Sequence, residues 1–253
     1  MKRLYTFGCS FTQYYWPTWA DILGREFNQF ENWGQCGGGN QFIFNSITEC
    51  LIKNKLTKND IIIVMWTNVT REDRYVGHRW LTPGNIYTYQ TVYDQTFVKK
   101  FADVKGYYLR DLAVIHAAKR MLDSYNIPYI FTSMVSIKNS DQYQLSQVTE
   151  LDEQFNLYVE SLSIFRPSVF ESIFNFDWAS KPTDKQSKRL NYHPTPIEHL
   201  EYVNKILSEF TVSNETEDWI NVVNKKVLDK NLNIEDIKLQ DLWNNQISLP
   251  NRW

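Results

Sequence analysis

The sequence has few cysteines, no excess of either charge and no basic run. Three cysteines, Cys9, Cys36 and Cys50, occur among 253 residues. Their odd number and irregular spacing fit neither a disulfide framework nor a zinc site, and favour a reducing compartment. Lysine and arginine number 27 against 29 aspartates and glutamates, for a net charge of −2. That balance excludes the electrostatic footprint of a nucleic-acid-binding protein.

Long apolar runs are also absent. No stretch approaches the ~18–20 apolar residues of a membrane span. The basic start at residues 1–3 resembles that of a signal peptide, but the apolar run after it breaks at Gly8, too early for a signal sequence. We therefore expect no membrane partner, and a protein that stays in the cytoplasm or is carried in a larger assembly such as a phage particle. The oligomeric state stays open.

Short apolar segments alternate along the chain with amphipathic ones. The hydrophobic spacing predicts strands at 3–7, 30–33, 60–66, 128–135 and 172–176, and helices at 19–27, 42–56, 107–125, 154–165 and 197–210. The unbroken apolar run at 60–66 is typical of a parallel strand buried on both faces. The alternation predicts an α/β fold with a mostly parallel central sheet.

Two segments do not fit this alternation. Residues 74–106 are rich in aromatics without a clear period, and a connection of that length is often a lid or a binding loop. The end of the chain is polar and asparagine-rich, and predicts two helices, at 218–228 and 234–243, that the sheet does not need. We therefore divide the chain into an α/β domain at 1–210, which includes the aromatic insertion, and a C-terminal helical extension at 211–253.

Four short motifs bring polar groups to one edge of the predicted sheet. Ser10 follows the first strand, a glycine-rich loop at 34–39 follows the second, Asn68 follows the third, and His193 precedes the last helix of the α/β domain. In an open parallel sheet, ligands bind beyond the carboxyl ends of the strands. Each motif alone also has a structural interpretation, as a cap, a turn or a packed histidine.

Together these motifs resemble the SGNH, or GDSL-like, hydrolase family. Phe7-Gly8-Cys9-Ser10-Phe11-Thr12 is similar to its first block, with Cys9 where aspartate is usual. Asn32-x-Gly34-x-x-Gly37 is similar to the second block, Asn68 matches the third, and His193-Pro194 matches the last. The resemblance runs from about residue 2 to residue 210. It implies a three-layer sandwich around a mostly parallel, flavodoxin-like sheet.

The resemblance also implies a serine esterase that acts through an acyl-serine intermediate, with no metal or organic cofactor. Ser10 is then the nucleophile and His193 the base, since a serine hydroxyl needs an adjacent base to become nucleophilic. The backbone N–H groups of Ser10 and Gly37 and the side-chain amide of Asn68 form the oxyanion hole. The substrate is a small-molecule or polysaccharide ester, and acyl transfer to a sugar hydroxyl would use the same residues.

One departure from the family concerns the third member of the triad. The family places an aspartate two or three residues before the histidine, where this chain has Asn191 and Leu190. Asn191 can accept a hydrogen bond from the imidazole but carries no charge, and in a serine protease the corresponding change costs ~10⁴ in turnover. Asp184, Asp177 or a backbone carbonyl are alternatives. The missing aspartate also motivates a second hypothesis, a non-catalytic or weakly active glycan-binding module of the same fold.

Aromatic residues favour a carbohydrate substrate. Phe, Trp and Tyr make up 15% of the chain, and several follow Ser10 closely, namely Tyr14, Tyr15, Trp16 and Trp19. Rings beside a polar site can stack on sugars, so we expect an O-acetylated sugar; the alternative is that these rings pack in the core or a lid. Trp16 and Trp66, the latter where the family often has glycine, are candidate substrate contacts.

Three further residues are open to two interpretations. Arg71 can hold an anionic group of the substrate or form a surface ion pair with a neighbouring acid. Cys9 is an alternative nucleophile, although adjacent residues on a turn point in different directions. His199 is an alternative base that also fits a packing role in its helix.

We predict that Asn191→Asp raises esterase activity, because a charge-assisted hydrogen bond to imidazolium is stronger than a neutral one. An added anion also favours the protonated ring, so the acidic limb of the pH–rate profile should move to higher pH. Unchanged or lower activity in this variant, beside loss of activity in Asp184→Asn or Asp177→Asn, would assign the acid elsewhere.

Overall fold

The computed structural model of the chain describes residues 3–87, 92–137, 157–158, 162–175 and 193–228. The strands in this part of the chain are β1 (Arg3–Phe7), β2 (Gln29–Asn32), β3 (Ile61–Trp66), β4 (Arg74–Val76), β5 (Arg79–Leu81) and β6 (Tyr129–Ser133). Four of them form a parallel central sheet in the order β2-β1-β3-β6, and β4 and β5 form a separate antiparallel hairpin.

Helices cover both faces of the sheet. Those described are α1 (Trp19–Gly24), α2 (Asn40–Lys53), α3 (Gln95–Phe101), α4 (Val104–Tyr125), α5 (Val169–Ile173), α6 (Pro196–Ile206) and α7 (Asn214–Leu228). One hydrophobic core joins the sheet to α2 and α4, and a second core joins the opposite face to α1, α5, α6 and α7. The predicted α/β sandwich of three layers around a parallel sheet is confirmed.

The central strand β3 shows why the sheet is buried on both sides. Its side chains alternate between the two cores, so that Ile62, Val64 and Trp66 face α2 and α4 while Ile63 and Met65 face α1 and α6. This alternation follows from the two-residue period of an extended strand. An apolar residue at every position is therefore what a parallel strand between two helical layers needs.

The strand order decides where the predicted site residues meet. Because β1 lies between β2 and β3, the turn that follows β1 has the loops that follow β2 and β3 on either side of it. Helix α1 and helix α2 leave this edge toward opposite faces of the sheet. Ligand sites of open α/β sheets form at such a reversal of the strand order.

Two parts of the sequence-based assignment were incomplete or wrong. Residues 74–106, which showed no period, contain the β4–β5 hairpin, helix α3 and the start of α4; three-residue strands are too short to show an alternation. The strand predicted at 172–176 is wrong over the described residues 172–175, because Ser172 and Ile173 belong to helix α5 and the next two residues form no strand. Ser168 and Glu171 form a capping box there, each side chain accepting a hydrogen bond from the other residue's backbone N–H, which starts a helix.

The first helix of the C-terminal extension packs on the α/β sandwich. Ile220 of α7 lies in the core shared with α1 and α6, and Val223 and Val227 pack against Trp16. The division of the chain at residue 210 stays a prediction. The helix predicted at 234–243 lies outside the described residues, as do 154–156 and 159–161, which are half of the helix predicted at 154–165. None of the described helices is both long and apolar enough to cross a membrane.

Trp66, a candidate substrate contact in the sequence, is part of the core. The side chain is 0% exposed and packs edge-on against Phe131, with ring centroids 5.4 Å apart. Its Nε1 is buried and has no acceptor among the described residues. A side chain with no exposed surface cannot contact a substrate, so we no longer place Trp66 among the substrate contacts.

We predict that Trp66→Ala lowers the free energy of unfolding by about 3–5 kcal/mol, the cost of emptying a large buried site. Trp66→Phe should cost less, because an aromatic ring remains and a buried N–H without an acceptor is removed. Urea unfolding measures both variants. A stable Trp66→Ala protein with a raised KM would instead return Trp66 to the substrate site.

Candidate active site

A tight turn after β1 presents the Ser10 hydroxyl. The backbone N–H groups of Thr12 and Gln13 both donate to the Cys9 carbonyl, at 2.9 and 3.0 Å, which closes the turn. A Cβ on Gly8 would lie 2.0 Å from Thr12 Oγ1, so no larger residue fits there. Ser10 is 5% exposed, at the carboxyl end of the strand.

His193 lies against this serine. Its Nε2 is 2.8 Å from Ser10 Oγ, although 183 residues separate the two in sequence. The histidine is half-buried and precedes α6, which starts at a capping box between Thr195 and Glu198 and has Pro196 in its first turn. A defined helix start therefore fixes the chain on one side of the histidine. The structure thus brings together the two residues that the sequence assigned as nucleophile and base.

Aromatic side chains of the segment after Ser10 contact this histidine. The Tyr14 ring stacks on the imidazole, with centroids 3.9 Å apart and an angle of 14° between the planes, and the Phe11 ring lies 5.3 Å away. Trp16 is 3% exposed, and its Nε1 donates to the Pro194 carbonyl at 2.8 Å. Trp16 was a candidate substrate contact, and its burial places it instead behind the histidine loop.

The loop after β2 is joined to the nucleophile turn. Asn32 donates from Nδ2 to the Thr12 carbonyl at 2.7 Å and accepts at Oδ1 from the N–H of Gly34 at 3.0 Å. The Gln35 N–H donates to the Gly8 carbonyl at 3.0 Å. The asparagine and glycine of the second sequence block therefore hold the two loops in one arrangement.

Gly37 has a conformation and a contact that exclude other residues. Its φ is +78°, and a Cβ there would lie 2.0 Å from the carbonyl oxygen of Thr82. Neither its N–H nor that of Ser10 has an acceptor among the described residues. Two backbone donors at the sheet edge are therefore available to an oxyanion.

Asn68, after β3, has its amide oriented by a neighbouring residue. Oδ1 accepts hydrogen bonds from both the N–H and the hydroxyl of Thr70, each at 2.9 Å. This is the turn interpretation that the sequence allowed. Because Oδ1 is held, the orientation of Nδ2 is fixed, and Nδ2 has no acceptor among the described residues. The turn and the proposed oxyanion role are therefore compatible.

Arg71 does not form the surface ion pair with a neighbouring acid that the sequence suggested as one interpretation. The side chain is 9% exposed, Nη1 donates to the Gly38 carbonyl at 2.8 Å and Nη2 lies 3.7 Å from Met134 Sδ. Glu72 pairs with Arg74 and Arg110 instead. Within the described residues, no carboxylate lies within ion-pair distance of this buried guanidinium. It holds the loop that carries Gly37.

Two buried side chains that sequence reasoning missed fix the start of α2. Asn40 accepts from the Thr67 N–H at 2.8 Å and donates to the Thr67 carbonyl at 3.1 Å and to Asp111 at 2.7 Å. Asp73 accepts from the N–H groups of Gly39 and Phe42, both at 2.9 Å. The position of Asn40, after a glycine run at the start of a helix, was a usable signal in the sequence. Nothing in the sequence pointed to Asp73.

Burial changes the acidity of these carboxyl groups. Desolvation raises the pKa of Asp73 to about 6 and that of Asp111 to about 7, although backbone N–H groups oppose the rise at Asp73 and Arg110 opposes it at Asp111. Both side chains serve as hydrogen-bond acceptors for the scaffold of the site.

The alternative catalytic residues have other surroundings. The Cys9 thiol is fully buried in the core that includes α1 and lies 3.8 Å from Met134 Sδ. His199 is 1% exposed within α6. Asn191, Asp184 and Asp177 lie outside the described residues, so the acid stays a prediction. In the part of the chain that the structure describes, no three His, Cys, Asp or Glu side chains are placed to hold a metal ion.

The chain is similar in fold to lipolytic proteins and esterases. A member of the lipolytic protein G-D-S-L family from Veillonella parvula is 14% identical, over 81% of this chain and 98% of that one, with a TM-score of 0.46. A catalytic mutant of an acetylxylan esterase from Geobacillus stearothermophilus is 12% identical, over 83% of this chain and 94% of that one, with a TM-score of 0.47. A GDSL-like lipase from Bacteroides thetaiotaomicron is 12% identical, over 91% of this chain and 89% of that one, with a TM-score of 0.40. No family model and no curated protein matches the sequence.

The groups at this edge are of the kinds that acyl transfer to a serine uses. A hydroxyl is bonded to an imidazole that can take its proton, and uncharged donors lie on the two loops beside it. Such donors act on the negative charge that develops in a tetrahedral intermediate.

We predict that Asn68→Asp lowers turnover by ~10²-fold or more, because it keeps the Oδ1 acceptor for Thr70 but replaces the amide donor by an oxygen that repels an oxyanion. Asn68→Ala should lose both the amide donor and the Oδ1 acceptor. We therefore expect a turnover similar to that of Asn68→Asp and a lower thermal stability. Steady-state kinetics and thermal unfolding separate the two effects. Normal turnover in the folded Asn68→Asp variant would mean that Asn68 has only a structural role in the turn.

Proposed function

We propose that this protein is a serine esterase that hydrolyses acyl esters through an acyl-serine intermediate. The observation that carries the proposal is the 2.8 Å hydrogen bond between Ser10 Oγ and His193 Nε2, at the carboxyl edge of a parallel sheet. The fold brings these two side chains together across 183 residues of sequence, and the adjacent loops offer donors for an oxyanion. The resemblance to SGNH hydrolases assigns the same roles to the same residues.

The reaction follows from these positions in two steps. His193 Nε2 takes the Ser10 proton while Oγ attacks the ester carbonyl, and the resulting oxyanion accepts hydrogen bonds from the N–H groups of Ser10 and Gly37 and from Asn68 Nδ2. The C–O bond to the alcohol then breaks, and the alcohol oxygen takes the proton from the imidazolium. Water, deprotonated by His193, then attacks the carbonyl carbon of the acyl-serine. The bond from that carbon to Ser10 Oγ breaks, Oγ takes the proton back from the imidazolium, and the carboxylic acid leaves.

The substrate that we propose is an O-acetylated carbohydrate. Support comes from the β4–β5 hairpin, which adjoins the oxyanion loop: Thr82 Oγ1 donates to the Cys36 carbonyl and accepts from Gln35 Nε2. The hairpin carries the edge-on pair of Tyr75 and Trp80, and Tyr75 is 54% exposed. Trp80 is half-buried against Phe42, so Tyr75 is the exposed ring of this pair, and an exposed ring on a segment joined to the site suits the apolar face of a sugar. Transfer of the acetyl group to a second sugar hydroxyl needs the same groups, with the hydroxyl in place of water.

Arg71 adds a positive charge to this edge. Burial of a guanidinium is costly. Among the described residues no carboxylate lies within ion-pair distance of this one, although its charge opposes the rise in the pKa of Asp73, and the loop carbonyl that it binds offsets only part of the cost. We propose that the charge also favours esters with an anionic group close to the acyl carbon.

A glycan-binding module of the same fold is the second candidate, and it is favoured by the sequence, which has Leu190 and Asn191 at the positions where the family places its aspartate. The hydrogen bond between the Ser10 hydroxyl and His193 Nε2 favours the enzyme, since a binding module has no need of an activated hydroxyl. Trp66, which would have filled an inactive site, lies in the core.

We predict that Ser10→Ala abolishes hydrolysis of p-nitrophenyl acetate without loss of fold, because it removes the hydroxyl that is bonded to His193. In the wild-type protein, a fluorophosphonate should label Ser10, with the adduct located by mass spectrometry. Acetylated xylo-oligosaccharides test the sugar substrate separately.

Cys9→Ser is the matched control, since it changes the neighbouring nucleophile and should retain activity and labelling. Full activity in Ser10→Ala would refute the assignment. An unlabelled, inactive wild-type protein that still binds the sugars would establish the binding module.

A further inference from the structure

We infer that Tyr14 and Trp16 are positioning residues for His193, and that they supply part of the orientation that an aspartate gives in other serine hydrolases. The inference rests on the proposed function. It assigns to two aromatic residues near the nucleophile a role in holding the base rather than in binding a sugar.

Tyr14 controls the plane of the imidazole. The two rings are nearly parallel, at 14°, and 3.9 Å apart, so a rotation of the histidine ring out of this plane would collide with the tyrosine. The face of an aromatic ring also attracts a cation within about 6 Å. Tyr14 therefore favours the imidazolium that forms when His193 takes the Ser10 proton, although it cannot select the tautomer as a carboxylate does.

Trp16 controls the backbone beside the histidine. Its Nε1 donates to the Pro194 carbonyl at 2.8 Å, and its ring meets the Tyr14 ring edge-on, with centroids 4.5 Å apart. Trp16 is itself held in a core with Val223 and Val227 of α7. A rigid element thus supports both the stacked ring and the histidine loop.

All of these contacts come from the short segment that starts with the nucleophile. Ser10, Phe11, Tyr14 and Trp16 all bond or contact residues 193–194. The carbonyl of Thr12, inside this segment, accepts from Thr18 and Asn32, so the segment is fixed to the sheet edge. One segment therefore carries the nucleophile and sets the distance to its base. A change in its side chains should act on the chemical step rather than on substrate binding.

Tyr14→Leu tests the stack, with Tyr14→Phe as the conservative variant that restores the ring. We expect Tyr14→Leu to lower kcat by roughly 3- to 30-fold, the range for a cation–aromatic contact, with KM within about twofold of the wild-type value, as for loss of an interaction in the transition state. Fluorophosphonate labelling of Ser10 should slow by a similar factor. Tyr14→Phe should recover most of both rates.

Tyr125→Leu, an exposed aromatic at the end of α4, is the matched control and should not change either rate. Unchanged kcat and labelling in Tyr14→Leu would overturn the inference while the proposed function stands. A raised KM with unchanged kcat would also overturn it, because Tyr14 would then bind substrate.

Trp16→Phe tests the hydrogen bond to Pro194 and keeps the inference testable if Tyr14→Leu does not fold. It retains an aromatic ring in the core but removes the N–H donor, so kcat should fall by about the cost of one hydrogen bond, roughly 2- to 13-fold, at constant KM. Wild-type kcat in folded Trp16→Phe would overturn the role of this bond.

NMR of the His193 ring protons separates failure of the inference from failure of the proposed function. In the wild-type protein and Tyr14→Phe, the stacked ring should shift these signals upfield, and in Tyr14→Leu the shift should be lost. This result holds even for a protein that hydrolyses no ester. Identical signals in all three proteins would overturn the stack itself.

Discussion

The pair of hydrogen bonds between the Asn40 side chain and the Thr67 backbone joins the loops that build the site. Asn40 begins α2, after the glycine loop of the second strand, and Thr67 is the last residue before Asn68. Without this amide, a buried N–H and a buried carbonyl would lose their partners, and each would carry a desolvation penalty of about 1–3 kcal/mol. The relative position of Gly37 and Asn68 depends on this pair.

Other polar side chains around the sheet edge also bind backbone groups of the loops. Asn32 bonds the nucleophile turn, Asp73 bonds the first turn of α2, and Arg71 bonds the glycine loop. Parallel strands leave backbone groups unpaired at their ends, and buried groups of this kind need partners. Side chains that satisfy them also fix the donors that an oxyanion would meet. Pre-organisation of this kind is what makes such donors effective, because they do not have to reorient during the reaction.

The aromatic residues have several roles that composition does not distinguish. Trp19 and Trp66 are fully buried, Tyr14 stacks on the histidine, and Tyr15 is 48% exposed. Trp16 combines burial with a hydrogen bond to the histidine loop, which its indole N–H makes possible. Rings close to Ser10 in sequence thus serve the core and the base as well as the surface.

The sequence by itself determined the central elements and indicated the main candidate site residues. The apolar run of β3 predicted a strand, and the amphipathic patterns of α2 and α4 predicted helices. Burial on two faces or on one gives the local sequence a characteristic hydrophobic pattern. Ser10 and His193 could be identified because each stands in a short motif at a predicted strand end or helix start.

Only the tertiary structure decided which aromatic side chains support the histidine and which polar side chains support the loops. The Tyr14–His193 stack and the Asp73 bonds to α2 join residues far apart in the chain. The β4–β5 hairpin and α5 were missed or misassigned because short elements carry little periodic signal and depend on caps and on packing with distant residues. Residue types and local spacing predict the elements and the reactive groups, whereas the contacts that orient those groups form only when the strands align.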